Sequence, residues 1–242
     1  LAIVTYSVIN DVHIPYQAKA YYDAIKLMKT WPNLKHIYLN GDIAEIESVS
    51  THPKTEGAKR LLLDELDCLN SELDALAKTF PDANVTFVEG NHCSRVFRYI
   101  RDVAPEMWGL VHLPTLLKFD KRDGWLFVPY GPSQWVKCGK THDLWIRHEP
   151  LGGGMGHAKV TAERSYVSVL YGHTHQYQQH TIKKIGPKPY HVTATSGGWL
   201  GDIKQPCFDY RGCKDNWQLG FTRIDCDEST GEYELRFIRL EK

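Results

Sequence analysis

Apolar runs in this chain repeatedly end in a polar turn of residue types that bind cations, three of the four turns with a glycine. The turns are Asn10-Asp11-Val12-His13, Asn40-Gly41-Asp42, Glu89-Gly90-Asn91-His92 and Gly172-His173-Thr174-His175. Each follows a run of strand length, and the segments joining the first three carry helical periodicity. Locally this is β-α-β, which builds a parallel sheet with its ligands at the carboxyl ends of the strands. Few chains place the same chemistry at the end of so many strands, so the pattern constrains both fold and function.

In more detail, strands are expected at residues 2–8, 34–39 and 85–88, and helices at 16–29, 56–78, 94–102 and 105–110. The first helix has Ala20, Ala24, Leu27 and Met28 on one face and stops at Trp31-Pro32. The long helix carries Leu62, Leu66, Leu69, Leu73 and Leu76, a stripe that suits either its own sheet or a partner helix. Beyond Leu113 the texture changes to short alternating segments, read as strands at 116–119, 124–128, 143–147, 167–171, 177–182, 190–194, 219–224 and 233–238. One further helix is expected near 157–164. This second half reads as a second sheet stacked on the first.

No repeat, low-complexity tract or run of one charge sign divides the 242 residues, so one domain over 1–242 is expected. The 29 basic side chains balance 29 acidic ones, which leaves no general positive field for sequence-blind capture of long DNA or RNA. A short nucleic-acid end is not excluded by that balance. No segment approaches the length of a membrane span and the apolar stretch Leu1-Ala2-Ile3-Val4 is followed at once by polar residues, so neither a membrane span nor a signal peptide is expected. The cysteines Cys68, Cys93, Cys138, Cys207, Cys213 and Cys226 form no CxxC pair. They are expected to be mostly reduced, in a cytoplasmic protein, with Cys207 and Cys213 close enough in sequence to close a small loop.

Alternate residues in extended backbone point the same way, so Asp11 with His13, and His173 with His175, are each expected to deliver a pair of side chains to one place. Carboxylate, imidazole and amide oxygen together suit divalent manganese, iron, zinc or similar ions without any thiolate. His148, ending the apolar segment 144–146, supplies a further imidazole. His157, after the glycine run 152–156, is its rival.

The order Asp11-x-His13, Gly41-Asp42, Gly90-Asn91-His92, His148 and Gly172-His173-Thr174-His175 resembles the calcineurin-like metallophosphoesterase superfamily. Val128-Pro129-Tyr130-Gly131, Gly197-Gly198-Trp199-Leu200-Gly201 and Asn216-Trp217-Gln218 resemble a branch common in bacteriophages and prophages. The resemblance implies an α/β fold, a four-layer α-β-β-α sandwich of two mixed sheets, with two divalent metal ions at the strand ends. Mn²⁺ comes first among these, with Fe, Zn, Ni, Co and Mg as the others. It further implies that Asp11, His13, Asp42 and His175 hold one ion, and that Asp42, Asn91, His148 and His173 hold the other. A shared anionic ligand offsets the repulsion of two neighbouring cations, which between them activate a water for in-line attack on phosphorus.

By the same resemblance His92 sits beside the substrate phosphate as general acid or electrostatic stabiliser. Glu45 falls where the family often has an acidic residue and would orient His92 through its other ring nitrogen. Arg95 is a candidate phosphate contact. Cys93 stands where the family usually has Glu or Asp. The glycine run 152–156 lacks the Lys-Ser or Lys-Thr ending of a P-loop and reads as a wall of the cleft, while Trp199, Tyr210 and Trp217 either line the pocket or pack in the core. The expected function is a dinuclear metal-dependent hydrolase of phosphodiesters of nucleotides or nucleic-acid ends. A phosphomonoesterase or protein phosphatase, and a non-catalytic binding protein on the same fold, are the alternatives. The expected partners are a phosphate-ester substrate, a nucleotide or a short single strand, without a membrane; monomer and homodimer are both left open.

Overall fold

The computed structural model describes residues 3–51, 61–208 and 214–241. Strands β1 (Ile3–Asn10), β2 (Leu34–Asn40), β3 (Asn84–Val88) and β4 (Trp125–Val128) lie side by side and parallel. The helices between them are α1 (Lys19–Met28), α2 (Leu62–Thr79), α3 (Arg95–Val103) and the single turn α4 (Leu113–Leu116). A second sheet holds β5 (Val136–Lys137), β6 (Leu144–Arg147), β7 (Ser168–Tyr171), β8 (Tyr177–Lys184) and β9 (Tyr190–Gly197) in the order β5-β6-β7-β9-β8, with α5 (His157–Arg164) before β7. The last strands, β10 (Gly220–Asp227) and β11 (Tyr233–Arg239), return to the first sheet and give it the order β11-β10-β1-β2-β3-β4.

Strand alternation sorts the side chains into layers. Ile9, Ile37, Leu39, Val85 and Phe87 point to one face of the first sheet, where they bury Ala20, Ala24 and Met28 of α1 and Leu66, Leu69, Leu73 and Leu76 of α2. The leucine stripe is thus used within the chain's own core. On the opposite face Tyr6, Val8, Tyr38 and Val88 meet Leu144, Ile146 and Leu170 of the second sheet. Val169, Tyr171 and Ala194 on its far side pack against Ala162 of α5. The result is a four-layer α-β-β-α sandwich of two mixed sheets.

The helix expected at 56–78 is described only from Leu62, because 52–60 lie outside the described residues. Two expectations need correction. The second half of the chain does not form the second sheet alone, since β4, β10 and β11 belong to the first. An antiparallel strand can be added to the open edge of β1 without a crossover helix. There β10 sends Phe221 to the helical side, stacked on Trp31 at 5.5 Å, and Ile224 and Cys226 to the inter-sheet core. Nor do residues 116–119 form a strand: Pro114 starts a helical turn that buries Leu113 and Leu117. Among the described residues no helix is long and apolar enough to cross a membrane. Cys93, Cys138, Cys207 and Cys226 are free thiols, while Cys213 and Tyr210 lie outside the described residues.

His36 on β2 gives the fold an acid-sensitive point. Its ring stacks on Tyr38 at 4.1 Å and its Nε2 lies 2.8 Å from Thr86 Oγ1. Burial lowers its pKa to about 4. The unfolded chain therefore takes up a proton near pH 6.5 that the folded chain refuses, and stability from this residue is lost as the pH falls from there toward 4. His36→Gln should flatten the fall in urea stability between pH 7 and 4 by roughly 1–3 kcal/mol relative to the parent. Parallel curves for the two proteins would show that His36 does not contribute.

Candidate metal centre

The carboxyl ends of β1, β2, β3, β6 and β7 converge on one buried cluster. Ligand atoms of Asp11, His13 and His175 lie within 4.8 Å of one another, as do those of Asp42, His148 and His173, and those of His13, Glu45 and His92. Asn91 joins the second group, with its Oδ1 at 2.9 Å from both His148 Nε2 and His173 Nδ1. Every candidate ligand named from the sequence is therefore brought to this end of the sandwich.

The local cause differs from simple strand alternation. Asp11, His13, Asp42, His173 and His175 all have left-handed backbone, with φ between 42° and 68°. The chain turns as soon as each strand ends, and the side chains converge because of that turn and not because of extended pleating. Two glycines let the turns come close. Gly41 has φ +73°, and a Cβ there would lie 1.8 Å from His148 Nδ1. A Cβ on Gly172 would lie 2.4 Å from Asp11 Oδ2. Gly41→Ala should therefore destabilise the fold by about 2–4 kcal/mol in urea unfolding and displace His148, with lower metal content as the second readout. Parent-like stability and metal content would contradict this packing.

Hydrogen bonds fix the carboxylates from behind. The backbone N–H of His92 donates to Asp42 Oδ1 at 2.7 Å, leaving Oδ2 3.2 Å from His148 Nε2. The backbone N–H of His173 donates to both oxygens of Asp11, at 3.1 and 2.9 Å. Burial alone would raise the Asp42 carboxyl, but the imidazoles of His148 and His92 hold it well below the usual range. In turn Asp42 outweighs burial at His148 and lifts that imidazole to about 9. The Asp42–His148 pair is therefore strongly polarised, an anionic carboxylate against a buried imidazole.

Glu45 is the hub of the neighbouring group. Its Oε2 accepts from His13 Nδ1 at 2.6 Å and from His92 Nδ1 at 2.9 Å. A carboxylate only accepts, so both rings carry their hydrogen on Nδ1 and present Nε2 to the interior of the site. His13 Nε2 lies 3.1 Å from His175 Nε2, which is itself 3.6 Å from Asp11 Oδ1. Burial opposes the charge on Glu45, yet the His92 and His13 imidazoles hold its pKa below the carboxylate range. Arg95 is buried and turned onto Glu45, its NH1 at 2.6 Å from the Glu45 carbonyl and 2.7 Å from Oε1. Its NH2 lies 3.5 Å from His92 Nε2.

Residues not singled out in the sequence complete the frame. Asn40 Nδ2 donates to Asn10 Oδ1 and to the Arg147 carbonyl, tying β1, β2 and β6 together beneath the cluster. Gln134 donates to the Glu89 carbonyl at 2.7 Å and accepts from His148 N–H at 3.2 Å. Asparagine ending an apolar strand was the available signal for Asn10 and Asn40; Gln134 lies in a loop with none. Trp199 stacks on His175 at 4.7 Å, Trp217 meets the same ring edge-on at 4.4 Å, and Phe208 packs on His13 at 5.1 Å. Trp199 is buried in this aromatic box, while Trp217 also lines the open cleft.

That cleft has a volume of about 580 Å³ and includes His173, Glu149 and Gly152 to Gly154. His157 borders it but bonds Tyr171 through Nδ1 at 2.7 Å, whereas His148 lies within the cluster. Cys93 turns away, its thiol 3.7 Å from the Ala44 carbonyl and pushed up in pKa by burial. Oxygen and imidazole donors with no thiolate among them fit borderline divalent cations.

Fold and site together define an α-β-β-α sandwich bearing a buried cluster of candidate metal-binding histidines and carboxylates at its strand ends. Gene 54 protein of Mycobacterium phage D29 is 27% identical over 243 residues, covering 94% of this chain and 91% of the phage protein. No family model matches the chain. Among solved structures, vacuolar protein sorting 29 from Cryptosporidium parvum superposes with a TM-score of 0.46 at 15% identity, covering 99% of each chain. Pseudomonas putida nuclease MPE gives a TM-score of 0.36 at 13% identity, over 96% of this chain and 87% of the nuclease.

Proposed function

We propose that this chain is a calcineurin-like, metal-dependent phosphoesterase that hydrolyses phosphodiesters of nucleotides or nucleic-acid ends. The observation that carries the reading is the convergence of Asp11, His13 and His175 beside Asp42, His148 and His173, each group within 4.8 Å, with Asn91 bonded to the second. In this reading the first group and Asp42 would hold one divalent cation, and Asp42, Asn91, His148 and His173 would hold another. Bound cations supply Lewis acidity toward the phosphate and lower the pKa of water.

The remaining work falls to the chain's own groups. Asp42 keeps one oxygen on the His92 amide and leaves the other 3.2 Å from His148 Nε2, fixed in direction to serve as a ligand where a cation would be held. Glu45 holds His13 as an Nε2 ligand and holds His92 with Nε2 toward the leaving group. When protonated, His92 gives its Nε2 proton to the departing oxygen, a need greatest for the poor leaving groups of diesters. Arg95 anchors Glu45 with one guanidinium nitrogen and offers the other to a phosphate oxygen beside His92.

A panel run with Mn²⁺ tests this reading: bis(p-nitrophenyl) phosphate, p-nitrophenyl phosphate, a 2',3'-cyclic nucleotide and single-stranded DNA. Diesters should turn over at least about 10-fold faster than the monoester. Faster monoester cleavage would move the reading to a phosphomonoesterase, and no turnover with metal bound would leave a binding protein.

A further inference from the structure

A second cavity, about 330 Å³, lies behind the Asn91 turn, at the small end of the usual size for small-molecule sites. Its walls are apolar and aromatic, formed by Val96, Phe97, Leu113, Phe127, Pro129 and Tyr130. Two buried polar side chains also line it: Ser94, whose hydroxyl donates to the Asn91 carbonyl at 3.0 Å, and Glu89, 7% exposed, with Oε2 accepting the Tyr130 N–H at 2.9 Å. Arg98 and Arg101 also border the cavity, Arg101 paired with Asp102 at 2.6 and 2.9 Å. Of the wall residues Phe97 is 52% exposed, and its ring lies 4.8 Å from that of Trp108, which stands outside the cavity and is 53% exposed; Leu110 is 78% exposed. Apolar rings left in water beside a cavity mark a binding surface.

Two contacts join this cavity to the candidate metal centre. Arg98 NH2 donates to the Asn91 carbonyl at 2.6 Å, so the helix bordering the cavity is bonded to a metal-ligand turn. Tyr130 donates through its hydroxyl to Glu149 Oε1 at 2.5 Å, and Glu149 lines the cleft that contains His173. A ligand spanning both places would put a phosphoester at the cluster and a flat, partly apolar group in the cavity.

We propose that this cavity takes a nucleobase of a single-stranded substrate whose neighbouring phosphate lies at the metal centre. Phe97 offers a face for stacking in the cavity with Trp108 at its rim, Glu89 accepts from a base N–H, and Arg98, with Arg101 on exchange from Asp102, supplies positive charge for the backbone. A protein partner would account for the exposed rings but not for the buried Glu89 carboxyl group in the cavity lining. The proposal rests on the phosphodiesterase reading above and adds the substrate's class and its point of purchase.

The test uses metal-loaded protein and a hydrolysis-resistant, fluorescein-labelled phosphorothioate pentanucleotide, compared with an abasic strand of the same length. The variants are Phe97→Ala and Arg101→Glu, both at exposed positions. Phe97→Ala should weaken binding of the base-bearing strand by about 5- to 100-fold and leave the abasic strand nearly unchanged, and Arg101→Glu should weaken both. Turnover of bis(p-nitrophenyl) phosphate should stay at the parent level in each. Glu89→Gln, which keeps the shape and replaces an acceptor with a donor, should alter preference among bases. Equal affinity for base-bearing and abasic strands, or parent-like binding by Phe97→Ala, would overturn the proposal. So would a dimer in sedimentation that Phe97→Ala dissociates without any change in strand binding. If the small diester is hydrolysed and the strand is not bound, the cavity proposal fails alone. If the strand binds as described and no diester is cleaved, the phosphodiesterase reading fails instead.

Discussion

Asp42→Asn should lose metal and activity together, with turnover of a chromogenic diester falling on the order of 100-fold or more, above the range seen for loss of outer-shell partners. The substitution is mild in shape. An Asn Oδ1 can still accept the His92 N–H that Asp42 Oδ1 accepts at 2.7 Å, so the turn is preserved. What disappears is the negative charge on the oxygen 3.2 Å from His148 Nε2, replaced by an amide that also brings hydrogens toward the cluster. Metal analysis of the same preparation should show reduced content, and circular dichroism should show the parent fold. Unaltered stoichiometry and turnover would remove Asp42 from the centre of the account.

His92→Asn should behave differently, keeping the metals while losing roughly 100-fold in hydrolysis of diesters with alkoxide leaving groups. The backbone N–H that holds Asp42 is unaffected by the side-chain change, and Glu45 keeps its bond to His13 at 2.6 Å. Only the imidazole, with Nε2 3.9 Å from Asp42 Oδ2 and 3.5 Å from Arg95 NH2, is taken away. The loss should shrink for nitrophenolate, which departs without a proton far more readily than a nucleoside alkoxide. Equal losses across a leaving-group series, or loss of metal, would assign His92 another role and remove the chief reason for placing diesters ahead of monoesters.

Much of this site could be read in the sequence because close approach leaves a mark on residue type. Gly41 and Gly172 stand beside candidate ligands because a side chain there would occupy the space of His148 or Asp11. The reason first given for the pairing of Asp11 with His13, and of His173 with His175, was extended alternation, whereas all of these residues are left-handed. Spacing of two residues looks the same for a strand and for a tight turn. Glu45 was legible as a partner of His92 but not as a simultaneous partner of His13, since that depends on how the β1 and β2 turns meet.

Sheet membership was the least legible part of the fold. β10 alternates like any half-buried strand, and nothing local tells it whether to lie beside β1 or in the second sheet. That choice is made by Phe221 against Trp31 and by Ile224 and Cys226 in the inter-sheet core, contacts across most of the chain. Residues 116–119 look like a strand because Leu116, Leu117 and Phe119 are apolar, but Leu117 is buried from a helical turn begun by Pro114.

The central claim is that the cluster of Asp11, His13, Asp42, Asn91, His148, His173 and His175 holds divalent cations which hydrolysis of a phosphodiester requires. The most direct measurement strips the protein with chelator and returns Mn²⁺ in known ratios, following bound metal and bis(p-nitrophenyl) phosphate turnover in the same samples. The account predicts that activity is absent in the stripped protein and rises with bound metal to a plateau at two ions per chain. Turnover that survives stripping, or a chain that binds no Mn²⁺ at all, would contradict it.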